Sequence, residues 1–301
     1  MRGMRNKSTF ILFVFLFIFG CSNQTVPSIT NDIQNHAESE DEGTDSESVI
    51  ENDKVDEPLE EVIEKLQAKA IEVKEQNYEK HSQFSEYVPG VKTRLDTDDK
   101  VVALTLDACG GENGSGYDKE LIDFLIENNI KADLFINARW IHKNENIFLE
   151  LAKNPLFTIQ NHGTEHKPLS VTPNSAWGIE STSSQEEIVQ EIMDNQFLIY
   201  ELTGELPRYF RSGTAFYDEV SVNIANDLGV EIVNFDVIGD GGATFTKEQV
   251  VTSMNTAEAG SIIILHMNQP KSDTAEGVME AVLKLKDEGY RFVHLSEYDL
   301  H

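Results

Sequence analysis

The sequence predicts an α/β fold: a parallel sheet covered by helices on both faces and closed as a (β/α)7 relative of the eight-fold α/β barrel. Three observations carry this. From Val101 onward, short apolar runs alternate with helical patterns. The runs are continuous in Val, Ile, Leu and Phe, as strands buried on both faces must be. Seven such runs follow one another: VVALTLDA, ADLFINA, FTIQNHG, YFRSGTA, VEIVNFDV, SIIILHM and FVHLSEY. Between them lie KELIDFLIENN, EEIVQEIMDNQFLIYELTG and DTAEGVMEAVLKLKDEG, whose Gly and Asn stops end helices. An open doubly wound sheet is the competing arrangement, weakened because no G-x-G-x-x-G opens the first helix.

Ahead of the barrel the chain divides into three segments. Residues 1–20 begin with Arg2, Arg5 and Lys7 and continue into an apolar run, residues 10–19, followed by Gly20 and Cys21. A basic start, a short apolar core and a small residue before the break describe a secretory signal, too short to span a bilayer. IFGC, residues 18–21, resembles the lipobox of bacterial lipoproteins, with Phe19 departing from it. The resemblance implies cleavage before Cys21, lipid on its sulfur, and anchoring at the extracellular face of the membrane; without lipidation the chain is secreted. Residues 21–57 contain a single basic residue, Lys54, and are rich in Ser, Asn, Asp and Glu. Such a stretch buries too little apolar surface to offset its ordering entropy and is expected to be a disordered acidic tether. Across residues 58–84, Leu59, Ile63, Leu66, Ala70 and Val73 recur at spacings of four and three, which predicts a short docked helix. Residues 85–301 are left for the catalytic-sized domain.

With 24 basic and 53 acidic residues, the formal net charge is −29 and no basic patch is visible. This disfavours nucleic acid as a partner, and nothing implies a protein partner. If Cys21 carries lipid, the second cysteine, Cys109, has none with which to form an internal disulfide.

In parallel α/β barrels chemistry gathers at the carboxyl ends of the strands. Here the first run ends in Asp107, the third in His162, the fourth in Arg211, the fifth in Asp236 with Asp240 beyond, and the sixth in His266. Five strands deliver an ionisable residue at the same end. His162 and His166 stand four apart, but Gly163 and Pro168 rule out a helical H-E-x-x-H site. Two neutral imidazoles with a carboxylate and an open position suit a catalytic divalent metal such as zinc.

The set TLD at residues 105–107, NHGTEHKPL at 161–169, FRSG at 210–213 and ILH at 264–266 resembles the polysaccharide deacetylases, which share the NodB homology domain and are also called the fourth carbohydrate esterase family. The motifs run in order over residues 101–298. The resemblance implies a distorted (β/α)7 barrel that removes acetyl groups from an N-acetylhexosamine glycan, peptidoglycan foremost, with Zn2+ or else Co2+, Mn2+ or Ni2+. It makes His162 and His166 metal ligands, Asp107 the general base, His266 the general acid and Arg211 the partner that holds Asp107 ionised. Asp236, ahead of Asp240, is expected to orient His266. A histidine, with an ordinary pKa of about 6.5, suits proton transfer near neutral pH.

The sequence departs from the family at one place. The first motif usually carries two adjacent aspartates, the second a metal ligand, whereas here Asp107 is followed by Ala108. Three arrangements remain. Asp107 itself ligates the metal, which is the expected one; Cys109, or an acid of the next loop, Glu112 or Asp118, reaches in; or the site holds no metal and the chain is a glycan-binding lipoprotein. The third motif, Arg211 to Thr214, also lacks the usual proline after the arginine. GGENGSGYD, residues 110–118, lacks a P-loop ending and is expected to form a flexible rim. Trp140, Trp177, Phe216 and Tyr217 lie near strand ends or in long loops, where an aromatic face could stack on a sugar ring, with core or loop packing the expected role of each.

Overall fold

β1 (Val101–Ala108) is buried along its whole length and forms the centre of the fold. Its side chains alternate: Leu104, Leu106 and Ala108 join the core beneath the helices, while Ala103 packs among the residues filling the barrel interior. Thr105 and Asp107 share the inward face with Ala103, which is why a polar residue can end an otherwise apolar strand. This computed structural model describes residues 58–78 and 83–301. The expected signal segment, the lipid-bearing Cys21 and the acidic tether lie outside the described residues.

Around β1 stand β2 (Ala132–Ile136), β3 (Phe157–Asn161), β4 (Tyr209–Phe210), β5 (Glu231–Ile232), β6 (Val237–Ile238), β7 (Ser261–His266) and β8 (Arg291–Phe292). All pair in parallel, in the order β6-β7-β1-β2-β3-β4-β5, with β8 on the first two residues of β1. β5 and β6 are the two ends of one run, residues 231–238, so the curved sheet meets itself there. Counted as one strand, that run leaves six strands around the ring, and β8, set on β1 outside that path, is the seventh. Where the run leaves the ladder, the segment before β1 patches the wall. Asn234 N–H donates to the Lys92 carbonyl at 2.8 Å, and Leu95 N–H to that of Gly260 at 2.8 Å.

The connecting helices are α2 (Lys119–Glu127), α3 (Ala138–Ala152), α4 (Gln185–Thr203), α5 (Glu219–Asp227), α6 (Lys247–Met254) and α7 (Thr274–Asp287), preceded by α1 (Leu59–Glu75). α4 illustrates how sequence sets their limits. Ser184 caps its start by accepting the Glu187 N–H, and Gly204 ends it at φ +73°, a left-handed conformation that glycine adopts without cost. α1 docks through Val73, which is fully buried among Ile188 and Ile192 of α4 and Val220 and Ile224 of α5. Tyr78, just beyond it, donates to Asp227 at 2.7 Å. No helix among the described residues is long and apolar enough to cross a membrane.

Because Leu104 is wholly buried in the main core, Leu104→Ala is expected to lose about 2–5 kcal/mol of stability. Urea unfolding followed by far-UV circular dichroism checks this.

Candidate active site

The carboxyl ends of the strands converge. Asp107 lies near the end of β1, His162 directly after β3, Arg211 directly after β4, and His266 ends β7. Arg211 is fully buried and has four of its five N–H groups placed. Nη1 donates to Asp107 Oδ1 at 2.8 Å and to Thr105 Oγ1 at 3.0 Å, Nε to the Val233 carbonyl at 3.0 Å, and Nη2 to that of Asn234 at 2.9 Å. Its guanidinium lies 4.2 Å from the Phe135 ring centre. Burial works to raise the Asp107 pKa, but the charges of Arg211, His162 and His266 outweigh it and hold the carboxyl below its usual range.

Arg211 also sets the state of the first histidine. Its carbonyl can only accept, so the 2.9 Å contact from His162 Nδ1 fixes the proton on Nδ1. The Nε2 lone pair is left facing inward. Nε2 of His162 and Nε2 of His166 are both buried without a hydrogen-bond partner. The two rings stand edge to face, with centres 4.9 Å apart.

The loop that carries them is held from several sides. Asn137 donates to the carbonyls of His162 and Gly163 at 2.9 and 2.7 Å, and Asn161 Oδ1 accepts the Gly163 N–H at 2.9 Å. Glu191, on α4, accepts the N–H groups of Glu165 and Lys167 at 2.9–3.1 Å. His166 itself has φ +62°, a left-handed conformation costing a non-glycine residue about 1–3 kcal/mol. Gly213 of the FRSG motif fits against it, since a Cβ there would lie 2.1 Å from the His166 carbonyl oxygen.

A third donor faces the pair, and it is Cys109. One ligand atom each from Cys109, His162 and His166 lie within 4.8 Å of one another. Asp107, the expected third ligand, is outside this group: Oδ1 is committed to Arg211, and Oδ2 is 3.7 Å from His162 Nε2. It stands beside the group of three donors rather than within it. Glu112 is exposed, and Asp118 caps α2 by accepting the Leu121 N–H at 3.1 Å. Burial works to raise the Cys109 pKa, but the imidazoles of His166, His162 and His266 beside it, with the charge of His166 foremost, bring the thiol well below its usual range. Burial likewise disfavours the imidazolium of His162, yet Asp107 and Cys109 raise its pKa.

The expected orienter of His266 is also corrected. Asp236 is turned to Arg94, to Ser261 Oγ at 2.9 Å and to the Ile262 N–H at 2.8 Å, at the start of β7. That is the wrong end of the strand, roughly 16 Å from His266 at 3.3 Å per residue. Asp240 does the work instead. It accepts His266 Nδ1–H at 2.9 Å and the His266 backbone N–H at 2.8 Å, with Thr274 Oγ1 at 3.1 Å. The parallel register explains it: Val237 pairs with Ile263 and Ile238 with Ile264, an offset of 26 that also separates Asp240 from His266. Burial disfavours the His266 imidazolium, but Asp240 and Cys109 raise its pKa well above the usual imidazole value.

Asp107 and His266 line one cavity of about 450 Å3, walled by Ser212, Thr214, Phe235, Ile238, Phe245 and Trp177. Of the four candidate aromatics only Trp177 is exposed, at 78%, braced edge to face by Phe216. Trp140 and Tyr217 are core residues. The glycine-rich segment after β1 is tied to the loop after β7, through Asn268 on the Gly114 carbonyl at 2.9 Å and Gln269 on that of Asn113 at 2.7 Å.

This barrel and its strand-end site are similar to those of the polysaccharide deacetylases, and residues 94–233 match that family's model. Over 211 residues the chain is 25% identical to the peptidoglycan-N-acetylglucosamine deacetylase PgdA of Listeria monocytogenes, covering 70% of this chain and 40% of that protein. The chain thus spans well under two thirds of that relative's length. The fold is shared with PdaA, a family 4 carbohydrate esterase of Bacillus subtilis, at a TM-score of 0.58 and 22% identity over 69% of this chain and 84% of that one. It is shared equally with a family 4 pseudoenzyme of Bacillus anthracis, at a TM-score of 0.58 and 21% identity over 70% and 69% of the two chains.

Sequence reasoning missed Glu191, Asn137 and Asn195, which reach the histidine loop and its strand from neighbouring elements. Glu191 sits on a helix among apolar residues, a polar position on a buried face, and that was the available signal. Burial raises its pKa from 4.5 to about 7. A folded-state pKa above the unfolded one gives stability that is full below about pH 4.5 and is lost as pH rises through about 7. Glu191→Gln keeps an acceptor oxygen but cannot ionise, so the fall in Tm between pH 5 and 8 is expected to be shallower than in the unaltered protein. Thermal melts across that range measure it.

Proposed function

We propose that the chain is a metal-dependent hydrolase that removes N-acetyl groups from an envelope N-acetylhexosamine glycan, with peptidoglycan the leading substrate. One observation carries the reading: two buried imidazole Nε2 atoms have no partner, and one of them stands 3.7 Å from an arginine-paired carboxylate that shares a cavity with an aspartate-paired histidine. Unpartnered buried polar atoms of this kind cost about 1–3 kcal/mol each, and a cation satisfies both. The donor set therefore fits a divalent metal, with zinc preferred because imidazole suits it. When bound by His162 and His166, the metal supplies Lewis acidity toward the acetyl carbonyl and the attacking water.

The chain's own groups divide the proton transfers. Asp107, ionised and aimed by Arg211, accepts the proton of the attacking water. His266, protonated through its pairing with Asp240, gives a proton to the sugar nitrogen as the C–N bond breaks. Trp177, at the cavity mouth, offers an aromatic face to a sugar ring. Cys21 carries the lipid and residues 21–57 tether the domain at the outer membrane face, which puts envelope glycan within reach.

A glycan-binding protein without turnover is the second reading, favoured by Ala108, whose methyl offers no donor. Metal content and acetate release from N-acetylglucosamine oligomers decide between them. His162→Ala is expected to lose both, whereas His266→Ala keeps metal and loses about 10²–10⁴-fold in kcat. Full acetate release by His162→Ala would overturn the metal assignment. Asp240→Asn withdraws the anion that raises the His266 pKa. A general acid works below its pKa, so the alkaline limb of kcat/KM should move to lower pH. Asp236→Ala should leave that limb in place, and pH–rate profiles of the two variants test the pairing.

A further inference from the structure

We infer that Cys109 supplies the third protein donor, through Sγ, to the cation held by His162 and His166, giving a Cys-His-His site. The cation's catalytic use rests on the deacetylase reading above; its binding does not.

The geometry leaves one donor for the place. Sγ of Cys109 and one ring nitrogen from each histidine are mutually within 4.8 Å. The His162 ring is 1% exposed, and its Nε2 has no partner. Asp107 gives Oδ1 to Arg211 and lies outside that group of three, Ala108 packs in the helix-side core, Glu112 is exposed and Asp118 caps α2. Cys109 lies two residues past Asp107, so strand alternation sends both toward the site. Its backbone is fixed there. Arg139 Nη2 donates to its carbonyl at 3.1 Å, and the chain turns at once through Gly110, at φ +69°. A Cβ on Gly110 would lie 2.6 Å from the Trp140 nitrogen, so the turn that aims the sulfur admits only glycine.

The chemistry agrees. A thiolate carries the same formal charge as a carboxylate, so total site charge is kept. Three protein donors with an open position match a catalytic zinc site. Sulfur, being softer than oxygen, turns selectivity toward Zn2+ and Co2+ and away from Mn2+ and Mg2+.

The test uses the full chain loaded with Co2+ or Zn2+, with folding checked by circular dichroism. Co2+-loaded protein should show a near-ultraviolet thiolate-to-cobalt charge-transfer band. X-ray absorption of the zinc form should show one sulfur at about 2.3 Å beside nitrogen at about 2.0–2.1 Å. Cys109→Ser should lose the band and weaken Zn2+ binding by more than about 100-fold, since loss of outer-shell partners alone costs 10–100-fold. Cys109→Asp should recover binding without the band. Metal that depends on His162 but shows no band and only nitrogen or oxygen neighbours would overturn the cysteine assignment while leaving the deacetylase reading intact. A normal band with no acetate release from N-acetylated glycans would do the reverse. Failure of the unaltered protein to bind either metal would sink both.

Discussion

The active end of this barrel depends on one buried guanidinium. Arg211 links β4 to β1 through Thr105 and Asp107, and to the run closing the barrel through the carbonyls of Val233 and Asn234. Its own carbonyl fixes the His162 proton. A single residue therefore settles the charge of Asp107, the tautomer of His162 and the seam where the sheet meets itself. Such a charge is tolerated in a dry interior only because nearly every N–H is met; removing one partner of a buried pair costs about 3–5 kcal/mol.

The histidine loop shows the complementary constraint. His166 is held in a left-handed conformation, and the surroundings must over-determine it. They do so with short polar side chains from three elements: Asn137 at the start of α3, Asn161 at the end of β3 and Glu191 within α4. Gly213 lets the FRSG turn approach closely enough to close the pocket behind the ring. Rigid, pre-placed nitrogens lower the entropy that binding a cation would otherwise cost.

Much of this was legible in the sequence because apolar periodicity and strand-end polarity are local signals. The seven runs, the docked α1 and the convergence of Asp107, His162, Arg211 and His266 can all be read from short windows. Distinguishing Asp236 from Asp240 required the register of β6 on β7, a pairing between distant segments that no window contains. That one oxygen of Asp107 is held by Arg211 was hidden for a related reason. The bidding of Arg211 for its carboxylate depends on a contact across 104 residues. Glu191 was hidden because a carboxylate in a helix reads as solvated surface until its neighbours are known to be buried. What stayed illegible is what tertiary contact decides.

The half-buried sulfur of Cys109 has one further consequence, which concerns lifetime rather than rate. Oxidants carry thiolates to sulfenic acid and then, irreversibly, to sulfinic acid, unless a second thiol intercepts the first product. Cys109 is the one cysteine among the described residues, so none of those residues offers a second thiol for a rescuing disulfide. In an oxidising surrounding each such event would end the working life of a molecule, a vulnerability that a carboxylate in the same place would not bring. Peroxide would age this protein from its centre outward.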